Sequence, residues 1–524
     1  MNISFYTNNP NLDNKEFFTG YHDPRDLEEE FSELYNSALG FLKNKYRYST
    51  LKTEILYGFY LKCLINMYIS YSNIVNNTNQ HSFKLFVPTN FFKNKEEFTD
   101  FGIYFHSAFF KTILFEYVAL KKNKSVELVP LLTSIEPKSS FEAPKKIKSI
   151  FRYIAYNLII LTKLKFGHFK NVVGINYHSE ISRRIAICPE TINVKFDLLF
   201  FGVKSNRINY IKSTLDIELD DFIERTFRPW MFRNTLLFRL YLDFLGLRKC
   251  VNKLATDSYH INNFIFKSLV IERFEKRGLA TAVISHGATF FLNPRSWLYL
   301  QSPAYKYYGN GFLNVEEGGI RIHPGYSGKA VRGLKTITRS KHAKTVIIYL
   351  YPHYQSFRKN NAEAISYLHF KDIELIVDSL LLFNFEVILK PHKNSQKSSV
   401  FYPDFINALK LKYPKLIITM NLPESTLDSS TIHLFTYLST GWLEKIQEGL
   451  SSVCFNPGYL DLTVGRDVGI LINKELMNRC YFDNHFDLQE YFKSTNFNVH
   501  CDIDGIWRYG DFKQYLSFIY ELEK

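Results

Sequence analysis

Cysteine is sparse in this chain and never paired in sequence. Cys63, Cys188, Cys250, Cys454, Cys480 and Cys501 stand far apart among 524 residues, with no C-x-x-C. That spacing argues against a disulfide scaffold or a zinc ribbon and fits reduced, buried thiols in a cytosolic protein. Long apolar runs are missing too. No segment offers ~18 uninterrupted apolar residues, so no transmembrane helix is expected. The two richest stretches, Ile55 to Ile74 and Ile150 to Leu164, are broken by Tyr, Asn, Lys or Arg and read as core helices. Met1 to Asp13 is polar and has no signal-peptide core. Zinc-finger spacing, an RNP-like aromatic signature and long Lys/Arg runs are all absent, which leaves nucleic-acid binding without a motif. Nor does any internal repeat or low-complexity block stand out.

What is present describes a globular protein. Hydrophobic residues make up 46% and charged residues 22%, a balance that supports buried cores. The length suits two or three domains. Aromatics reach 17%, but Asn, Lys and Ile are abundant with them, so genome composition explains that figure as well as function does. The formal net charge of +14 points to an anionic partner, either a phosphorylated substrate or an anionic membrane surface. From Arg225 to Lys249, arginines interleave with Phe227, Trp230, Phe232, Phe238, Tyr241 and Phe244. The stretch reads as a core helix whose arginines extend to water. Docking on anionic lipid is the alternative.

Apolar spacing predicts helix from about Arg25 to Asn77, with Leu27, Phe31, Leu34, Ala38 and Phe41 on one side. Strands are expected at Phe83 to Pro88, Val126 to Leu132, Val172 to Ile175, Arg184 to Cys188 and Phe196 to Val203. After Lys253 strands and helices alternate regularly. Helices Phe264 to Arg277, Ile365 to Phe383 and Asp404 to Lys412 alternate with strands Ala282 to Ser285, Thr345 to Tyr351, Phe385 to Lys390, Leu416 to Thr419 and Ile432 to Leu438. Such alternation predicts an α/β fold built on parallel sheets covered on both faces. The basic stretch Ser327 to Lys344 reads as a linker, dividing the chain into domains 1–330 and 331–524.

The strands run into polar segments, where open α/β sheets place ligands. Ala282–Ser285 leads to His286-Gly287, Thr345–Tyr351 to Pro352-His353, Phe385–Lys390 to Pro391-His392, and Ile432–Leu438 to Ser439-Thr440-Gly441. Three histidines at equivalent positions favour a shared site over three separate core residues. Ser439-Thr440-Gly441 opens a helix from Trp442, and a strand–turn–helix of this kind aims backbone N–H groups at a phosphate. Glu444 and Glu448, four apart on that helix, are placed to reach a ribose. The bland reading is an ordinary crossover whose Ser and Thr cap a helix.

The order of these motifs resembles two related enzyme groups. One comprises the capsular-polysaccharide proteins that include Kdo-type sugar transferases; the other, the CDP-glycerol glycerophosphotransferases of teichoic-acid synthesis. Ile284-Ser285-His286-Gly287 looks like their His-Gly turn and Lys390-Pro391-His392 their basic-x-His segment. Ser439-Thr440-Gly441-Trp442-Leu443-Glu444, with Gly449 and Phe455-Asn456-Pro457-Gly458, is similar to the capsule group's Ser-Thr-x-Gly-x-Glu…Gly-x-Pro-Val. Gly441 falls one position early, Lys393 stands where a proline follows the histidine, and Ser451-Ser452 replace a Lys/Pro pair. The resemblance spans roughly Lys267 to Gly458.

It implies a GT-B fold, two Rossmann-like domains facing across a cleft, here with an N-terminal helical extension on the acceptor side. It implies a glycosyltransferase moving a sugar from a nucleotide-activated donor, a CMP-linked acidic sugar first, to a glycan or glycolipid acceptor of surface-polysaccharide synthesis. A CDP-polyol phosphotransferase and a catalytically silent assembly component are the alternatives. Donor-binding residues are then His353, Lys390, His392, Ser439, Thr440, Gly441, Glu444 and Glu448. His286 is the first candidate general base, with Asp216 and Asp220 of the acidic cluster Asp216 to Asp221 as rivals. No cofactor is expected, and no metal-ligand constellation is present in the sequence. The expected location is cytoplasmic, peripheral at the inner face of the membrane.

Overall fold

Ile3, almost at the N-terminus, is fully buried. The reason is a short strand, β1 (Asn2–Ile3), that pairs in parallel with β2 (Ser82–Val87), which pairs in turn with β4 (Ser125–Pro130). Met1 itself is tied in, its carbonyl accepting from the Lys84 amide at 2.8 Å. The computed structural model describes residues 1–6, 28–53, 57–93, 96–98, 107–131, 155, 159, 172–175, 191–194, 203–205, 218–228, 253–257, 280–284, 305–309, 322–324, 345–350, 362–392, 402–422, 431–437, 439, 441, 442, 445, 450–457 and 481–493.

Helices α1 (Glu28–Tyr46), α2 (Thr50–Thr53), α3 (Phe59–Asn77) and α4 (Ala108–Lys121) accompany this three-stranded sheet. Ser107 caps α4, its Oγ accepting from the Phe110 amide at 3.1 Å. Residues 109–119 of α4 are all buried, so α4 is a core helix, as is α3 with Leu61, Leu64, Ile65 and Val75 at 0% exposure. A helix at residues 219–228 closes this core. Phe222 stacks on Tyr117 with centroids 4.3 Å apart, and Phe227 meets Tyr57 edge-on at 5.5 Å. Each buried Phe contributes roughly 1.5–3 kcal/mol. The expected helix from Arg25 to Asn77 is therefore three helices, and the expected helical extension contains a parallel sheet. On α1 the buried side chains are Ala38, Leu39 and Leu42, while Phe31, Leu34 and Phe41 are only half-buried.

Two six-stranded sheets follow, every adjacent pair parallel. The first contains β5 (Val172–Ile175), β6 (Thr191–Val194), β8 (Lys253–Asp257), β9 (Ala280–Ile284), β10 (Tyr305–Gly309) and β11 (Ile322–Pro324), in the order β11-β10-β9-β8-β5-β6. The second contains β12 (Thr345–Tyr349), β13 (Glu386–Lys390), β14 (Ile417–Ile418), β15 (Thr431–Phe435), β16 (Ser452–Phe455) and β17 (Tyr481–Phe482), in the order β14-β13-β12-β15-β16-β17. Between them the chain changes sheet from Pro324 to Thr345. A small antiparallel pair joins β3 (Glu96–Phe98) to β7 (Val203–Ser205). Of the strand expected at Phe196 to Val203 only Val203 is in β7, and β6 lies earlier; Arg184 to Cys188 and Phe264 to Arg277 lie outside the described residues.

In the second sheet all of β15 and β16 is buried, which is why they are rich in apolar residues and carry no charged one besides the His433 imidazole. Helix α5 (Ala362–Leu382) crosses between β12 and β13 and buries Phe370, Ile373, Ile376, Val377 and Leu380. Helix α6 (Tyr402–Lys412) packs against it through Phe370 and Phe405, stacked at 4.0 Å. Helix α7 (His485–Lys493) also docks on α5, Gln489 donating to Ser379 at 2.7 Å. The fold is thus α/β, and two successive six-stranded parallel sheets are what a GT-B chain requires. Among the described residues no helix is long and apolar enough to cross a membrane.

Candidate functional site

Numbered from its own first strand, the second sheet has the order 3-2-1-4-5-6. The order reverses between β12 and β15, and in open parallel sheets ligands bind outside the carboxyl ends of the strands at that reversal. Register brings the ends level: Tyr349 pairs with Lys390 on one side and with Phe435 on the other.

Thr436, the first residue beyond β15, stitches the reversal shut. Its amide and its hydroxyl both donate to the Tyr349 carbonyl, at 3.0 and 2.9 Å. His369 of α5, fully buried, places Nε2 3.1 Å from the same hydroxyl. A hydroxyl has one proton, and here it goes to a carbonyl that can only accept. Nε2 of His369 therefore carries the proton and donates to Thr436.

Above this junction the Tyr349 and Phe435 rings stack at 4.2 Å, 4° from parallel. The Tyr349 hydroxyl lies 3.0 Å from Nδ1 of the buried His433, which fixes the outer edge of the pair. The Lys390 ammonium sits 5.2 Å from the Tyr349 ring centroid, a cation–π geometry. Lys390 is half-buried. Its pKa is lowered from the usual lysine range, first by burial and then by the like charge of Lys445.

On the other side of the ring pair begins the helix that holds Gly441, Trp442 and Lys445. Ser439 caps it, Oγ accepting from the Trp442 amide at 3.2 Å. A Cβ on Gly441 would stand 3.1 Å from Cε1 of Phe435, so the helix start rests directly on the aromatic pair. Trp442 is buried, 6.4 Å from Tyr481, and its indole Nε1 has no hydrogen-bond partner. Asn456, just past β16, is fixed by its amide donating to the Phe482 carbonyl at 2.8 Å and by its side chain donating to the Tyr481 hydroxyl at 2.9 Å.

Of the residues expected from sequence, Lys390, His392, Ser439 and Gly441 lie along this one edge. Ser439 does cap a helix, and the strand–turn–helix is as anticipated. Asp220 belongs elsewhere: it opens the helix at 219–228, against the N-terminal sheet's helices. Its carboxyl is pushed above the usual range by burial, then by Asp221 and Glu218. Asp216, His286, His353, Thr440, Glu444 and Glu448 lie outside the described residues. Sequence reasoning missed Tyr349, Phe435, Thr436, His369 and Lys445. Only Tyr349 and Phe435 had a usable signal, since both close apolar strands that register places side by side.

No family model and no curated protein matches the chain. Among solved structures it is similar to the Methanocaldococcus jannaschii UDP-GlcNAc 2-epimerase in complex with UDP-GlcNAc and UDP, at 12% identity and a TM-score of 0.36, over 68% of this chain and 99% of that one. It is also similar to Medicago truncatula UGT71G1 complexed with UDP-glucose, at 9% identity and a TM-score of 0.33, over 66% of this chain and 88% of that one. Likenesses this loose carry no argument about chemistry.

Proposed function

We propose that the chain is a GT-B glycosyltransferase that binds a nucleotide-activated donor at the carboxyl edge of the β12–β17 sheet. The observation that carries this reading is the coincidence of four features at the strand-order reversal. These are a half-buried lysine, a stacked aromatic pair, a Ser-capped helix start and a glycine that lets that start approach closely. Transfer from such a donor leaves negative charge on a departing phosphate. Lys390 and the helix start supply fixed positive charge to meet it, with His392 alongside. In this reading Thr440 joins the phosphate contacts, His353 lines the donor side, and Glu444 or Glu448 takes the ribose hydroxyls.

The acceptor side is assigned to residues 1–330, with the donor domain at 331–524 and the two facing across a cleft. His286 follows β9 in the chain and is the proposed general base; Asp216 and Asp220 are its rivals. The motif resemblance names the chemical setting: a surface-polysaccharide or glycolipid acceptor, and either a CMP-linked acidic sugar or a CDP-linked polyol as donor. The +14 charge supports work at an anionic inner membrane face. Within residues 225–249, the described part, 225–228, is the end of a packed helix with Phe227 buried; residues 229–249 lie outside the described residues.

Thermal shift across nucleotides tests the donor site, since a ligand at about a hundred times its Kd stabilises by ~2.7 kcal/mol. A rise with cytidine or uridine nucleotides that is lost in the double variant S439A/T440A supports the site. A rise unchanged in that variant removes it. Co-sedimentation with anionic vesicles at low and high salt tests the membrane part, which falls if nothing binds at low salt.

A further inference from the structure

Helices α1, α4 and α5 end in the same way, and α1 ends on an ill-suited residue. Just past them the backbone turns left-handed, at Arg47 (φ 53°), Asn123 (φ 57°) and Asn384 (φ 61°). In each case the next amide donates back into the last turn: Tyr48 to the Lys43 carbonyl at 3.2 Å, Lys124 to Ala119 at 3.0 Å and Phe385 to Leu380 at 3.0 Å. Glycine and asparagine suit this position, and a long side chain does not. Arginine at position 47 therefore costs stability, and an observed backbone cost of this kind points to a use for the side chain.

The surroundings indicate which use. Lys43, Lys45 and Arg47 close α1, and Arg228 arrives from the helix at 219–228. Lys45 and Arg228 meet at one carboxylate, Glu224, at 3.3 and 3.8 Å. All four cations are exposed, and among the described residues Lys43 and Arg47 have no ion pair. Complementing the helix dipole uses about half a positive charge and Glu224 one more, so about two to three of the four remain unmatched. Beside them is a ladder of rings. Tyr48 stacks on Tyr46 at 5.8 Å and Tyr46 on the buried Tyr57 at 6.0 Å, while Lys45 lies over Phe41 at 5.0 Å. Tyr46, Tyr48 and Phe41 are half-buried.

We infer that the end of α1 docks the protein on an anionic phospholipid surface. The inference rests on the membrane reading and gives it a location in the N-terminal unit. Magnitude separates a bilayer from a single small anion. An exposed cation contributes little to one discrete pairing. Over a plane of negative headgroups the contributions add, at roughly fivefold in affinity per basic residue. Tyrosines among lysines and arginines also match the headgroup layer, where amphipathic rings and long cationic side chains gather. A second copy of the chain fits less well, because a two-fold contact would set the patch against its own charge.

Co-sedimentation of the full chain with vesicles containing phosphatidylglycerol, and with vesicles of phosphatidylcholine alone, tests this. The proteins are wild type, K43Q/R47Q, R47N and K410Q/K415Q, the last removing the same charge from two exposed lysines at the end of α6. Wild type should bind anionic vesicles at low salt and not neutral ones. K43Q/R47Q should lose roughly twentyfold in affinity, and K410Q/K415Q less than about threefold. R47N should weaken vesicle binding yet raise the urea midpoint, since asparagine takes the left-handed turn more readily. Equal losses in the two double variants overturn the inference and leave the membrane reading standing as a diffuse effect of net charge. A lower urea midpoint in R47N makes the arginine structural and likewise overturns the inference alone. Binding to soluble polyphosphate that depends on Lys43 and Arg47, without vesicle binding, gives the patch to a soluble polyanion and overturns both. Absence of any vesicle binding by wild type overturns both as well.

Discussion

His369 donates to the hydroxyl of Thr436 at 3.1 Å, and Thr436 in turn donates to the Tyr349 carbonyl at 2.9 Å. The relay links α5 to the two central strands where their order reverses, so the floor of the proposed donor site is held from beneath by a buried polar chain. Such chains are costly to interrupt because the remaining partner is stranded away from water.

Thr436→Val preserves shape but strands the His369 N–H, at a cost of about 1–3 kcal/mol. His369→Leu strands the other end of the same contact. Because the two share one interaction, the double variant should lose measurably less than the sum of the singles, with a coupling of roughly 0.5–3 kcal/mol. Urea denaturation of the four proteins measures this. Additive losses would show that the pair does not interact.

Gly441→Ala sets two effects against each other. Alanine in a helix is favoured over glycine by about 1 kcal/mol. Against that, the new Cβ meets Phe435 at 3.1 Å, and Phe435 cannot slide because Tyr349 is stacked on its ring. Overpacking of this kind costs about 1–3 kcal/mol, so a net loss is expected. Phe435→Leu, which opens the space, should turn the Gly441→Ala change neutral or favourable. A Gly441→Ala protein as stable as wild type in urea would contradict this packing.

Much of this was legible in sequence, for definite reasons. β13 and β15 could be read because their buried centres carry apolar residues, Val387-Ile388-Leu389 in one and Ile432, Leu434 and Phe435 in the other. Yet the strand expected at Ile432 to Leu438 spans Thr431 to Phe435, and no local pattern announces where it stops. β1 is too short to show any period. Its burial depends on β2, some eighty residues on. Lys445 looks like any solvated lysine on a charged helix, and nothing local announces that its charge is felt at Lys390. Strand order, which locates the site, is a property of long-range pairing and has no local signature.

Asp220→Asn should stabilise the protein at neutral pH. The carboxyl's folded pKa is raised by burial, then by Asp221 and Glu218, so its charged form is disfavoured by folding. The sign follows from linkage: a raised pKa adds stability below the unfolded value near 3.9, and this is lost as pH rises through the folded value. The Asn variant escapes that loss. Its advantage in urea midpoint should therefore appear above the usual carboxylate range and vanish by about pH 3. If Asp220 is also the base of the reaction, the same variant loses turnover while gaining stability. An advantage independent of pH would refute the electrostatic origin.

Glu224 offers the sharpest test of how the helix at 219–228 is held. Its buried carboxylate accepts from the Tyr46 hydroxyl at 3.0 Å and lies 3.3 Å from Lys45 and 3.8 Å from Arg228. Tyr46 is held well above the ordinary tyrosine range by burial and then by this carboxylate, so it remains a neutral donor throughout. The cationic side chains are 39% and 72% exposed and return to water if Glu224 is removed, so their pairing contributes little. The Tyr46 hydroxyl has less access to water. Glu224→Ala should therefore cost about 1–3 kcal/mol, mostly through that orphaned hydroxyl and the lost packing. Glu224→Gln keeps an acceptor within reach and should cost clearly less, and Tyr46→Phe should narrow the gap between the two Glu224 variants to the packing difference alone. Chemical denaturation of these proteins decides it. If Gln and Ala are equally damaging while Tyr46 is intact, the ion pairs hold this helix instead.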